Sequence, residues 1–167
     1  MSAEENPSHT PILRPPATTV AQAATKFGLF GVAIGLTIAL GFVVADHQKA
    51  NSVAPVFAQA RTIVMQFHAE NGVWPKDFDV AHPGEAFAGY RLAPLAEALG
   101  RCELPGRWAF QAKGPDGAAA IVFTPAEPGR RYERTLGVVD RWIDDGEALT
   151  GELRVRRDAA ALSLSGE

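Results

Sequence analysis

One apolar stretch dominates the sequence: Lys26-Phe-Gly-Leu-Phe-Gly-Val-Ala-Ile-Gly-Leu-Thr-Ile-Ala-Leu-Gly-Phe-Val-Val-Ala-Asp46. Between its charged ends no residue is ionisable, and Thr37 alone has a polar side chain. As a helix with a rise of ~1.5 Å per residue, the stretch would measure just under the ~30 Å hydrocarbon core of a bilayer. A helix also satisfies its own backbone hydrogen bonds, which lipid requires. The stretch therefore predicts a transmembrane helix over 26–46; a buried helix of a soluble core is the alternative.

Length, charge and cysteine content limit what the rest of the chain can be. A chain of 167 residues with one membrane helix has room for one modest domain. The net charge of -3 provides no basic surface for nucleic acid, so nucleic acid is not an expected partner. Cys102 is the only cysteine, which excludes an internal disulfide. The positive-inside rule gives a tie, with Arg14 and Lys26 before the apolar stretch and Lys49 and Arg61 after it; Lys26 at the membrane edge shifts the balance slightly towards a cytoplasmic N-terminus.

The segments on either side of the predicted anchor differ in composition. Residues 1–25 are rich in Pro, Ser, Thr and Ala, which predicts a disordered cytoplasmic tail. Residues 47–72 predict an amphipathic extension of the helix, because apolar side chains recur at three- and four-residue steps. Asn71 and Gly72 are a typical end for such a helix, and Pro55 inside it predicts a kink. The recurring apolar residues are Val53, Val56, Phe57, Ala60, Ile63, Val64 and Phe67.

Small residues form a stripe along one face of the predicted membrane helix. Such a stripe lets a second helix approach closely. We therefore expect other membrane protein subunits to contact this face and the lipid bilayer to contact the rest of the helix. The stripe consists of Gly28, Gly31, Gly35 and Ala39.

Residues 73–158 predict a small α+β domain, followed by a disordered tail over 159–167. The clearest element is a β-hairpin, because two alternating segments flank a Gly-Pro-Asp-Gly turn at 114–117. The expected fold class is α+β, with the long N-terminal helix packed on a small antiparallel sheet. The predicted elements are a helix over 92–99, strands over 107–113 and 118–124, a helix over 136–143 (with a strand as the alternative) and a strand over 151–157.

The sequence contains none of the common catalytic motifs. It has no Gly-x-Ser-x-Gly elbow, no phosphate-binding glycine loop and no dinucleotide fingerprint. His9, His47, His68 and His82 lack the spacing of metal ligands, and Cys102 has no motif partner. We therefore expect no enzymatic activity and no small-molecule substrate.

Carboxylates are concentrated in one short segment, at Asp140, Asp144, Asp145 and Glu147. Carboxylate oxygens are the ligands that a hard cation such as Ca²⁺ prefers. The spacing is not that of an EF-hand, because the sixth position counted from Asp140 is Asp145 and not glycine. The segment is a candidate calcium site; the alternative is a solvated Asp-Asp-Gly turn with no cofactor.

Three segments of the chain resemble type IV pilins and the pseudopilins of type II secretion. Ala60–Phe78, which contains Gly-Val-Trp-Pro at 72–75, is similar to the way the long helix ends in many of those proteins. Val139–Gly146 and Gly151–Arg154 are similar to a stretch near the end of some minor pilin-like proteins. The resemblance implies a membrane helix continuing into an amphipathic helix on a small sheet, with the sheet outside the inner membrane.

Two family features have no clear counterpart in this sequence. Pilin precursors carry a short basic leader that ends in glycine before the apolar helix, and a glutamate one turn into it. Here Lys-Phe-Gly-Leu at 26–29 matches the leader junction only loosely, and no acidic residue precedes Asp46 in the apolar stretch. The resemblance therefore implies a membrane-retained pilin-like protein rather than a major fibre subunit.

Together these features predict a single-pass protein of the bacterial inner membrane, with a cytoplasmic N-terminus and a periplasmic C-terminal domain. The resemblance implies a structural or assembly component of a pilus or secretion-type machine. The alternative is an accessory anchor subunit of another multi-subunit membrane complex, such as an energy-transducing one.

Overall fold

The computed structural model describes residues 17–165, with no side-chain description at 17–21, 23, 24 and 131. The fold belongs to the α+β class, as predicted, and the chain divides into one unit up to Gly41 and a second from Phe42 onwards. The helices are α1 (Ala17–Asn71), a short 3₁₀ helix (Glu85–Phe87), α2 (Ala93–Arg101) and α3 (Arg130–Ile143). The strands are β1 (Phe78–Asp79), β2 (Gly106–Gln111), β3 (Ala119–Pro125), β4 (Leu153–Val155) and β5 (Ala160–Leu164).

The first unit contains most of the apolar part of α1, which continues into the first residues of the second unit. All side chains from Thr25 to Val44 are exposed, including the large apolar ones. This part of α1 is long and apolar enough to cross a membrane. In water, an apolar surface of this extent would be unfavourable.

The core of the second unit is built from the later part of α1, the buried sides of α2 and α3, and one face of a sheet. Five antiparallel strands form this sheet in the order β1-β2-β3-β5-β4. Phe57 of α1 meets Trp108 of β2 edge-on, with ring centroids 4.7 Å apart. Six of the seven apolar positions predicted along the helix are buried in this core, and Phe67 is partly buried against it. The amphipathic pattern of 47–72 therefore identified the packed face of α1 correctly.

The β-hairpin lies where the sequence predicts it. β2 and β3 pair from Gly106 with Pro125 to Gln111 with Ala120. The turn closes through a hydrogen bond of ordinary length, 2.9 Å, from the amide of Gly117 to the carbonyl of Gly114. Its sequence signal was strong because turn residues and alternating strands agree within a short segment.

The end of α1 also follows the prediction. Gly72 has a φ of 70° and its amide donates to the carbonyl of His68 at 2.8 Å, which closes the helix with a left-handed residue. Pro55 does not interrupt α1, which continues on both sides of it.

The short helix predicted over 92–99 corresponds to α2, and the one predicted over 136–143 is the second half of α3.

The predicted boundaries at both ends of the chain need correction. α1 begins at Ala17, so the disordered tail predicted over 1–25 is wrong for residues 17–25, and residues 1–16 lie outside the described residues. The disordered tail predicted over 159–167 is wrong for 160–164, because β5 pairs with both β3 and β4. The physical reason is burial: Ala160 and Leu162 are 0% exposed in the core, which offsets the entropy lost on ordering the segment.

Candidate functional site

The acidic segment lies at the end of α3 and in the loop that leads to β4. α3 is amphipathic, and its apolar residues Tyr132, Leu136 and Val139 are buried at three- and four-residue spacing. Asp140 directly follows Val139 and lies on the same buried side of the helix. The packing of α3 therefore carries a carboxylate into the protein interior.

Asp140 is an unusual buried acid. Asp140 is 0% exposed, and neither of its carboxylate oxygens has a hydrogen-bond partner in the part of the chain that the structure describes. Burial raises the pKa of Asp140 to about 6, and the negative charges of Asp144, Asp145 and Glu147 add to this effect. A buried carboxylate without a partner is costly, so this side chain requires either a proton or a cation.

Asp144 fixes the loop between α3 and β4. Its Oδ2 accepts a hydrogen bond from the amide of Leu153, the first residue of β4, at 2.7 Å. Its carboxylate also lies directly against Gly151, where a Cβ atom would clash with it. Gly151 has a φ of 69°, a conformation that favours glycine. The Gly-Glu-Leu-Arg segment at 151–154 thus begins with a glycine that the Asp144 carboxylate requires.

Asp145 organises the middle of the same loop. Its Oδ1 accepts from the amide of Glu147 at 2.8 Å, and its Oδ2 accepts from the hydroxyl of Thr150 at 3.0 Å. The first contact spans two residues and is an Asx turn. The turn places both Asp145 oxygens at fixed positions, and the exposed Glu147 contributes its backbone amide to it.

Three of the four carboxylates predicted from sequence come together. Asp140, Asp144 and Asp145 each offer an oxygen, and these three oxygens lie within 4.8 Å of one another. Glu147 does not belong to this group, and its role as a fourth ligand stays a prediction. The Asx turn uses the backbone amide of Glu147, and its side chain is exposed. The set contains only oxygen atoms, the ligand chemistry of Ca²⁺ and Mg²⁺.

The stripe of small residues in α1 is fully exposed. A Cβ atom added at Gly28, Gly31 or Gly35 would meet no atom of the described chain within 4 Å, and Ala39 is exposed as well. The stripe therefore leaves room for a second helix to approach.

The histidines and the cysteine have separate local contacts. The His68 ring stacks on Trp74 at 4.0 Å, the His47 ring meets Trp142 at 5.9 Å, and His82 Nδ1 lies 3.8 Å from Asp79 Oδ2. Cys102 is half-buried; burial raises the pKa of its thiol, which donates to the carbonyl of Leu104 at 3.6 Å. His9 lies outside the described residues. None of the described groups forms a pair of nucleophile and base.

Two polar contacts between α1 and the rest of the second unit have no counterpart in the sequence predictions. Arg61 forms a two-pronged ion pair with Glu152, with its shorter contact at 2.6 Å. Asp46 is 8% exposed, lies 3.6 Å from Arg134 Nε and accepts from the Thr135 hydroxyl at 3.4 Å. The partners in the first pair are 91 residues apart, and no local pattern identifies such a pair.

The sequence predicts Asp46 only as the charged end of the apolar stretch. In the structure, Asp46 is also a buried hydrogen-bond acceptor for the Thr135 hydroxyl of α3.

Comparisons of this chain with protein-family models, with curated proteins and with solved structures gave no match.

Proposed function

We propose that the chain is a non-catalytic single-pass membrane protein whose exported α+β domain serves as a structural or assembly component of a pilus or secretion-type machine. In this proposal the apolar part of α1 crosses the bacterial inner membrane, the N-terminus is cytoplasmic and the domain is periplasmic. The domain would resemble those of type IV pilins and pseudopilins, and the chain would act through contacts with other subunits.

The observation that carries the proposal is the change of environment along α1. Side chains from Thr25 to Val44 are all exposed, whereas Val53, Phe57 and Val64 of the same helix are at most 1% exposed in the core of the second unit. Apolar side chains that are exposed in a row require lipid or a partner protein. A helix with these two halves supports an anchored domain.

Partner contact through the anchor is supported by the open glycine stripe. Helices associate in lipid by close packing, and glycine allows the backbones to approach. Gly31 and Gly35 have the four-residue spacing of this packing mode, with nothing of the described chain against them. We propose this face as the contact with other membrane subunits.

The test is capture of the full-length protein from its native membranes in mild detergent, with the attached subunits identified by mass spectrometry. The stripe is altered by G31L and G35L, which block close helix approach. A33L and T37L are the matched controls, because these positions lie on the opposite side of the helix. We expect pilin-like subunits to be captured with the wild type and both controls, and to be lost with G31L and G35L.

The attached subunits also decide between the proposal and its alternative. Other pilin-like membrane helices support a role in a pilus or secretion-type machine. Capture of unrelated membrane subunits would overturn that role and identify an accessory anchor subunit of a different complex. Equal capture by all four variants would overturn the proposed glycine contact.

A further inference from the structure

We propose that Asp140, Asp144 and Asp145 form a calcium site that fastens the C-terminal end of α3 to the loop before β4. The inference rests on the side-chain geometry of this loop alone and goes beyond the proposed function. It can therefore be right or wrong independently of what the membrane helix contacts.

Asp140 has no partner that would balance its burial. Its side chain is 0% exposed, and both of its oxygens are without a hydrogen bond from any described residue. Buried carboxylates in folded proteins are normally paired or bound to a metal. Among the described residues, no Lys or Arg forms an ion pair with Asp140, Asp144 or Asp145. The positive charge of Arg141 lowers the pKa of Asp140, but burial and the neighbouring carboxylates outweigh it.

The carboxylate oxygens of the three aspartates are close enough together to share one ion. One oxygen from each of the three aspartates falls within 4.8 Å of the other two. Calcium binds oxygen at about 2.3–2.6 Å, so two ligands on opposite sides of one ion are ~4.8 Å apart. One ion at the centre of the cluster can therefore reach all three side chains with small adjustments.

The loop holds its ligands in place before any ion arrives. Asp144 is fixed by the amide of Leu153 at 2.7 Å and by its contact with Gly151. Asp145 is fixed by Glu147 and Thr150 at 2.8 and 3.0 Å. A carboxylate oxygen has a second lone pair, so these bonds leave it able to bind a cation. Preorganised ligands bind with a smaller loss of conformational freedom.

The chemistry of the cluster selects the ion. All three ligands are carboxylates, and zinc prefers histidine nitrogen and cysteine sulfur. Magnesium requires near-ideal octahedral geometry at about 2.0–2.1 Å, whereas calcium accepts irregular sets of oxygen ligands completed by water. Three carboxylates with open positions therefore fit calcium best, with a dissociation constant in the range of about 10⁻⁵ to 10⁻³ M.

The experiment uses the full chain in detergent micelles, stripped of metal with excess EGTA and then titrated with calcium chloride. Binding is followed by calorimetry, and unfolding is followed by the fluorescence of the tryptophans. Saturating calcium is expected to raise Tm by ~5 °C. D140N and D145N are each expected to weaken calcium binding at least about tenfold, because each removes one charged ligand.

D140N provides a second readout that a purely structural acid would not give. Without calcium, D140N should be as stable as the wild type or more stable, because a neutral amide replaces a buried carboxylate next to two others. The same variant should lose the calcium-dependent rise in Tm. If D140N folds poorly, the loss of the calcium-dependent rise in Tm is tested with D145N instead, because Asp145 is exposed.

The matched control is E147Q, which removes a carboxylate from the same loop but not from the cluster. Its calcium affinity should stay within about threefold of the wild type, since it loses only a more distant charge. The proposal is overturned if the stripped wild type shows neither heat of binding nor a change in Tm. It is also overturned if magnesium gives an equal rise, or if the rise persists in both D140N and D145N.

Discussion

Gly151 shows how a single residue position holds the acidic loop together. Its φ of 69° is a conformation that L side chains adopt at a cost, and the Asp144 carboxylate fills the space where a Cβ would lie. The sequence identifies this glycine only as the first residue of a predicted strand and of the segment Gly151–Arg154. Neither its conformation nor its contact with Asp144 could be predicted, because both depend on where β4 begins relative to α3.

A pair of glycine substitutions tests the role of this position. Gly151→Ala should lower the free energy of unfolding by about 1–3 kcal/mol, since it introduces both a strained φ and a clash with Asp144. Gly137→Ala is the matched control: Gly137 lies within α3, and an added Cβ there meets no described atom within 4 Å. Its free energy of unfolding should rise by about 0.5–1 kcal/mol, the usual gain in a helix interior.

Both variants are measured by urea unfolding of the full chain in micelles. Equal effects of the two substitutions would contradict the role assigned to Gly151.

The hydrogen bond between Tyr90 and Glu70 leads to a pH prediction. The Tyr90 hydroxyl donates to Glu70 Oε2 at 2.6 Å, and this bond, followed by the one from Gln66, lowers the pKa of Glu70 from its usual value. An acid whose pKa is lower in the folded chain than in the unfolded chain stabilises the fold at pH values above its pKa in the unfolded chain. This stabilisation is lost as the pH falls through its pKa in the folded chain. Tyr90→Phe should therefore raise the pKa of Glu70 and flatten the acid side of the stability curve.

The pKa of Glu70 is followed by NMR titration of its carboxyl group in the full chain. Gln66→Met should raise this pKa less than Tyr90→Phe does, because Tyr90 is the larger cause of the shift. A larger effect of Gln66→Met would contradict this ranking of the two hydrogen bonds.

At the scale of elements, sequence patterns predicted the elements that are determined by interactions between residues close together in the sequence. The β2–β3 hairpin and the end of α1 at Asn71 were predicted because their turn residues lie inside or beside the element. The acidic cluster was predicted in part, since Asp140 and Asp144 are one helical turn apart. The 3₁₀ helix and the two-residue strand β1 were not predicted, because the loop after Pro75 has no regular period.

The strand β5 was missed because its stability comes from its neighbours. The segment Ala-Ala-Leu-Ser-Leu is short, follows a charged Arg-Arg-Asp and lies near the end of the sequence, which is typical of a tail. It becomes a strand because β3 and β4 supply hydrogen bonds on both sides and the core buries Leu162. Such pairing between distant segments cannot be read from a single short pattern.

A substitution in β5 tests whether this strand is part of the core. Leu162→Ala should lower the free energy of unfolding by about 2–5 kcal/mol, because Leu162 is 0% exposed. Leu149→Ala is the control, at a leucine that is 76% exposed, and should change stability by less than about 0.5 kcal/mol. Both variants are measured by urea unfolding in micelles. If Leu162→Ala lowers the free energy of unfolding no more than Leu149→Ala does, the segment is not part of the core and the prediction of a disordered tail is restored.

At the scale of the whole chain, α1 contributes both a candidate anchor and part of the folded core. Its first part has the length and composition of a membrane span, and its second part supplies the central core positions of the folded unit. The apolar stretch and the amphipathic period made both parts predictable, because each is a pattern within one helix. The contacts of Asp46 and Arg61 with distant residues were not predictable in this way.

The measurement that tests the central claim most directly is the membrane topology of the full-length chain in intact bacterial cells. Membranes are washed with alkaline carbonate, and spheroplasts are treated with protease, with the domain detected by an antibody to residues 73–158. An anchored, exported domain predicts that the protein stays in the membrane after the wash and that protease added outside the spheroplasts degrades the domain. Release by carbonate would contradict the anchor, and degradation only after lysis would contradict an exported domain.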